Sequence, residues 1–420
     1  DPNAVGVIAP RLETLVRFQG DIAERRFVEH LILRGLTFAH TNWNLAKNGQ
    51  SFPQAEVQLR AAIEAVGARQ VTVESCAVKH TGGYGMSWGA GCCDVLVRDC
   101  DIVDLGGGGV KIGTGGGAAS WMVNDYDAGD PESAVQQVTV EDCSIAHGGR
   151  LHPAAVGVWL GHASNCEVRY NDIFDFYYTG VSVGWVWGYA APSKAHDNTI
   201  AHNHIHTIGQ GVLSDMAGVY TLGLSPGTRV DYNRIHDVQA YDYGGWGLYT
   251  DEGSTGITMS NNLVYRTKTG GFHQHYGSGN RILNNIIVEA QVQQLQRTRT
   301  EEHISFAFMH NIVYWTNDSP LFGSNWRDDH FILDWNLYFN PIHEIRFPGD
   351  LTLPQWQARR GKDAHSLIAD PGFVAAAADD YRLRSHSPAL ELGFKPWDLQ
   401  DAGRRTASNE ADATVPRAFK

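Results

Sequence analysis

The chain has 420 residues, a net charge of −13, 19% charged residues and 46 glycines. Clustered Lys and Arg able to neutralise phosphates are missing, which argues against nucleic acid as a partner, and no apolar run approaches the roughly 20 residues needed to span a bilayer. A glycine-rich, lightly charged chain of this length suits a turn-rich all-β protein that grows along one axis.

In chain order, the opening segments 4–20 (AVGVIAPRLETLVRFQG) and 27–40 (FVEHLILRGLTFAH) lead into the repeats, and 54–67 (QAEVQLRAAIEAVG) has helical spacing and predicts an inserted helix. Residues 1–70 are therefore expected to form an opening segment with an insertion. His40 and His80 occupy matching places in loops, with structural roles expected for both.

A phrase then recurs, a Cys or Asn followed by x-Ile/Val/Leu, at Cys76, Cys100, Cys143, Asn171, Asn203, Asn233, Asn261 and Asn284. The intervals are 24, 43, 28, 32, 30, 28 and 23 residues. A period of that size with variable loops marks a solenoid. Each coil also carries Gly-Φ-x-Φ, seen at Gly85, Gly109, Gly157, Gly180, Gly211 and Gly247, an alternation that reads as a strand with one buried face. The fold class expected is all-β, a right-handed parallel β-helix with loop insertions. Its core should run over 71–345, with 124–136 lengthening one coil into a loop beside the cleft. Cys76, Cys100 and Cys143 share the anchor position and read as a buried stack. With no CxxC spacing, neither a metal nor another cofactor is expected.

Aligning 209–215 (GQGVLSD), 245–251 (GWGLYTD) and 270–275 (GGFHQH) puts Gly89, Gly113, Gly161, Gly184, Asp215, Asp251 and His275 in one outward column. Strands in adjacent coils sit about 4.8 Å apart, so Asp215 and Asp251 are expected about 5 Å from each other. Retaining glycosidases hold their carboxylates at about 5–5.5 Å, so this spacing predicts a retaining pair with one carboxyl pKa raised and the other low. Tyr249, His273, Trp246, Tyr220, Trp185 and Trp187 cluster in the same coils and are candidate sugar-binding aromatics. His275 is a candidate to tune Asp251, and Glu252 lies inward or in the turn that begins at Gly253. A calcium site or a plain Asp ladder is the bland alternative for the pair; the surrounding aromatics favour an active site.

Past Ala290 the pattern weakens, although His310-Asn311-Ile312 and Trp335-Asn336-Leu337 echo the anchors. Segment 353–361 reads as a short helix, 346–398 as a closing segment and 399–420 as a flexible tail.

The stretch from Asp215 to Gly253, with GVYTLGLSPG (218–227), NRIHDV (233–238) and YGGWGLYTDEGS (243–254), resembles bacterial right-handed parallel β-helix glycoside hydrolases. It is most similar to glycoside hydrolase family 141, which includes α-L-fucosidases and xylanases; family 120 β-xylosidases share the architecture. VIAPRLETLVRFQG near the start and DPGF and SPALELGF near the end extend the likeness over most of the chain. The resemblance implies a paired-acid mechanism at Asp215 and Asp251, without assigning acid and nucleophile, on an oligo- or polysaccharide. It also implies a sizeable region before the APRLE segment, carried by a longer chain or a separate one, and a secreted or periplasmic location. The net charge favours a neutral or lightly charged glycan. Two rival readings remain: a polysaccharide lyase or epimerase, which would want a basic residue or metal beside a uronate, and a non-catalytic glycan-binding β-helix.

Overall fold

The computed structural model describes residues 4–50, 52, 54–114, 130–189 and 193–405. The chain winds through three long parallel sheets of 11, 12 and 12 strands, every coil contributing a strand to each in turn. The predicted parallel β-helix is the fold. The first sheet includes Tyr84–Trp88, Val110–Ile112, Val158–Leu160, Val181–Gly184, Ala217–Leu222, Trp246–Thr250 and Gly270–Gln274. Among the described residues no helix is long and apolar enough to cross a membrane.

Coils stack because identical positions repeat. Ile102, Ile145, Ile173, Ile205, Ile235, Val264 and Ile287 pair in order along the third sheet and are wholly buried. Each such side chain gains about 1.5–3 kcal/mol from burial. Cys76, Cys100 and Cys143 are buried free thiols at the anchor position, as expected. Beyond Cys143 an asparagine ladder takes over: Asn171, Asn203, Asn233, Asn262, Asn285, Asn311 and Asn336, each Oδ1 accepting the previous rung's backbone N–H at 2.8–3.1 Å.

Two anchors are thereby corrected by one residue. Asn262 and Asn285 are the rungs, whereas Asn261 and Asn284 precede them with φ of 56° and 55°. The same left-handed position is filled by Tyr170, His202, Tyr232, His310 and Trp335 in other coils. Asparagine tolerates this conformation and also suits a ladder, so an Asn-Asn pair hides which residue does which.

The helix expected at 54–67 is replaced by a strand, Ala61–Val66, paired in parallel with Val16–Gln19 and Tyr84–Trp88 in the first sheet. Its apolar residues satisfy two periods, and pairing with both neighbours decides for the sheet. The short helix does form, as Leu353–Arg360, with a Thr352 capping box and Gly361 left-handed at its C-cap (φ 60°). Trp356 from this helix packs into the main core beside Phe347.

The closing segment then runs back along the third sheet. Arg266 pairs with Asp379, Asn284 bonds Lys395, His202 meets Asp401, and Arg404 and Arg405 reach Asp99, Asp101 and Asp142. Residues 399–405 of the expected flexible tail are thus tied down; 406–420 lie outside the described residues. Of the expected cleft loop 124–136, residues 124–129 also lie outside them, and 130–136 form a 3₁₀ turn, Pro131–Ser133, and the start of a strand.

Candidate active site

The register of the first sheet decides which side chains share a face. One outward column reads Glu64, Ser87, Lys111, Trp159, Ser182, Tyr220, Tyr249, His273 and Gln296 on successive strands. The strand pairing also extends the expected glycine column one residue beyond the paired positions, from Gly184 to Leu222, Asp251 and His275. Gly184 has φ 109°, and a Cβ there would sit 2.0 Å from the Leu222 carbonyl oxygen, so this step of the floor requires glycine.

Asp215 is not in that column. The strand of its coil is Ala217–Leu222, in which Gly218-Val219-Tyr220-Thr221 takes the repeat position. The phrase Gly211-Val212-Leu213-Ser214 imitates the repeat but lies in the loop 209–216, where Gly209, Gln210, Gly211 and Asp215 all have positive φ. The carboxylates are therefore not one coil apart in register, and the spacing argument for retention loses its premise.

Asp215 nevertheless converges on Asp251. The Tyr249 hydroxyl donates to Asp215 Oδ1 at 3.2 Å, the Tyr220 hydroxyl donates to Asp251 Oδ2 in a very short bond, and Gln54 Nε2 donates to both Asp215 Oδ2 (2.9 Å) and the Tyr220 oxygen (3.2 Å). Tyr178 fixes the loop by donating to the Asp215 carbonyl at 3.0 Å. Three hydrogen bonds thus run from one carboxylate to the other through Gln54 and Tyr220.

Burial pushes the Asp215 carboxyl up to about 7, the charge of Asp251 adding to the rise and Tyr249 opposing it. Burial also raises Asp251, opposed by hydrogen bonds from Tyr220 and Tyr249 and by His275. His275 Nδ1 stands 4.0 Å from Asp251 Oδ1, beyond hydrogen-bond reach, so its influence is electrostatic. His273 is buried, stacked on Tyr249 at 4.6 Å, and held well below the usual imidazole range by desolvation, so it stays neutral. Glu252 occupies the turn, where its carboxylate accepts the Tyr276 hydroxyl at 3.1 Å.

Expectations for the aromatic residues divide. Trp185 is fully buried in the core, and Trp246 is 2% exposed, its ring 4.2 Å from His273 and its Nε1 bonded to Gln296. Neither offers an open face in this structure. Tyr220 and Tyr249 are equally buried and meet the carboxylates through their hydroxyls instead. Trp187 is only partly buried, edge-on to Trp185 at 5.3 Å. Gln54 and Tyr178 were not anticipated: Gln54 lies 161 positions from Asp215, and nothing local in the sequence ties the two. Among the described residues no group of three His, Cys, Asp or Glu side chains could hold a metal.

A parallel β-helix with a buried, tyrosine-bridged carboxylate pair is what fold and site define together. The family model for the right handed beta helix region matches residues 133–306, which contain both aspartates. A solved structure described as a glycoside hydrolase is 25% identical with a TM-score of 0.56, covering 65% of this chain and 50% of its own. The chain thus spans half the length of that protein. A GH136 lacto-N-biosidase from Eubacterium ramulus is 13% identical (TM-score 0.49, 79% of this chain and 60% of its own), and a mutant of the periplasmic alginate epimerase AlgG is also 13% identical (TM-score 0.48, 69% of each chain). No curated protein matches the chain.

Proposed function

We propose that the protein is a glycoside hydrolase, allied to the family 141 enzymes that its sequence resembles, in which Asp215 is the general acid and Asp251 the ionised partner. The observation that carries this reading is the asymmetry of the pair. Asp251 receives the very short Tyr220 bond and lies near His275, so it ionises first; its charge then helps hold the proton on Asp215, whose pKa of about 7 suits proton donation near neutrality. The 25% identical hydrolase supports the same class.

The reaction passes the Asp215 proton to the glycosidic oxygen as the C–O bond breaks. Asp251 either attacks the anomeric carbon or takes a proton from the attacking water. The anomeric proton signals of the first-formed product read that choice directly.

The test is turnover of aryl α-L-fucoside, β-D-xyloside and arabinosides, of xylan and of pectic side-chain oligosaccharides by wild type and Asp251→Asn. Turnover that falls at least ~10³-fold in the variant is expected. A product absorbing as an unsaturated uronide would replace this reading with a lyase, and glycan binding without any turnover would leave a binding protein.

A further inference from the structure

A cavity of about 520 Å³ opens on the same face, nearer the start of the solenoid, and the paired-acid chemistry does not use it. Its lining includes Lys111 and Trp159, which precede Ser182 and Tyr220 in the outward column. Lys111 is thus three strands from Tyr220, about 14 Å at 4.8 Å per coil, the reach of a short oligosaccharide lying along the sheet. The floor is glycine, at Gly89 and Gly113. The Trp159 indole folds over Gly161, where a Cβ would come within 2.4 Å of its ring.

The charge of this cavity opposes that of the chain. Of its described lining residues three are cationic, Arg17, Arg60 and Lys111, and one is anionic, Glu64. Arg17 and Arg60 both lean on Glu64, at 3.3 and 2.9 Å, with 47% and 48% of their side-chain surface exposed. One carboxylate cannot saturate two guanidinium forks. Two buried polar atoms, Trp159 Nε1 and Thr114 Oγ1, also find no hydrogen-bond partner among the described residues, although both residues line the cavity. A buried polar group left unpaired is costly and marks a place where a ligand can supply the partner.

We propose that this cavity binds a carboxylate-bearing sugar, a uronic acid unit or branch several sugar units away along the glycan from the glycosidic bond at Asp215 and Asp251, since Glu64, which Arg17 and Arg60 flank, is five strands or about 24 Å from Tyr220. Arg17 and Arg60 take the carboxylate, and the indole N–H and the Thr114 hydroxyl take ring oxygens. The position of the cut rests on the hydrolytic reading above; binding of the acidic sugar does not.

The experiment is calorimetric titration of the full chain carrying Asp251→Asn with two oligosaccharide sets, glucuronoxylan fragments with a single glucuronosyl branch and rhamnogalacturonan fragments. Each is used native and after chemical reduction of its carboxyl groups. For at least one set, reduction is expected to weaken binding ~10-fold, and Arg17→Gln with Arg60→Gln to weaken the native form alone by a similar factor. Arg17→Lys with Arg60→Lys, which keeps the charges, restores part of that loss and shows that the fold survives. Equal affinity for native and reduced forms, or no binding of either set, overturns the proposal. Carboxylate-dependent binding with an inert wild type would sink the hydrolase and leave this site standing, and turnover of neutral glycosides without carboxylate dependence would do the reverse.

Discussion

Replacing Asp215 with asparagine should stabilise the protein, and increasingly so as the pH rises. The Asp215 carboxyl has a pKa of about 7 in the fold against 3.8 for the free side chain, with burial as the first cause. Between those values the native state keeps a proton that the unfolded chain has lost, so raising the pH favours unfolding; below 3.8 both states are protonated, and well above 7 the penalty is complete. Ionising the buried group then costs the native state about 4 kcal/mol. The amide that replaces the carboxyl in Asp215→Asn carries no charge and escapes this cost, which already includes the repulsion from Asp251. For a chain of this length about 4 kcal/mol corresponds to roughly 4 °C in melting temperature. Melting wild type and Asp215→Asn by circular dichroism from about pH 4.5 to 8.5 should show a difference that grows across this range and levels off above about pH 7.5. The exposed Asp242→Asn serves as control. A difference that is flat with pH, or that shrinks as the pH rises, refutes the reasoning, and no substrate need be known to obtain it.

Three further outcomes follow from the same geometry. The alkaline limb of kcat/KM should fall near pH 7, where Asp215 loses its proton, and Tyr249→Phe, which removes a donor to the ionised form, should move that limb upward by about one pH unit. A limb that stays in place in the variant would take Tyr249 out of the acid's environment. Asn233→Ala strips a rung whose Nδ2 serves the Ile200 carbonyl at 2.8 Å and whose Oδ1 takes the Asn203 N–H at 3.0 Å. It should destabilise by about 3 kcal/mol in equilibrium denaturation, since two buried backbone groups lose their partners.

Much of the fold was legible because a solenoid repeats its errors as well as its signals. The recurring Gly-Φ-x-Φ phrase placed the strands at Gly85, Gly109, Gly157, Gly180 and Gly247 correctly, since in those coils one candidate glycine precedes an alternating run. It failed at Gly211, where a loop written GQGVLS satisfies the same pattern as the strand GVYT that follows it. The Asn-Asn pairs failed for a related reason, as two residues with the same tolerance for the left-handed turn compete for one rung. The strand Ala61–Val66 was read as helix because the apolar residues of 54–67 also satisfy helical spacing, and its partners on either side are invisible to a local window: Ile63 pairs with Val16 before it and with Met86 after it.

The pairing of Asp215 with Asp251 emerges from the fold for a reason different from the one that suggested it. A column of stacked carboxylates would place both groups by backbone register alone. Here only Asp251 is set by the sheet, one residue beyond Trp246–Thr250, while Asp215 is delivered by a loop whose left-handed turns aim it back over Tyr220 and Tyr249. The separation of the two acids is therefore governed by the tyrosine hydroxyls and by Gln54, and not by the repeat of about 4.8 Å between coils. A β-helix in which one acid rides on the sheet and the other on a coil-to-coil loop can change the distance between them by altering that loop while every rung of the ladder stays in place. The sheet fixes Asp251, and the loop 209–216 fixes where Asp215 stands beside it.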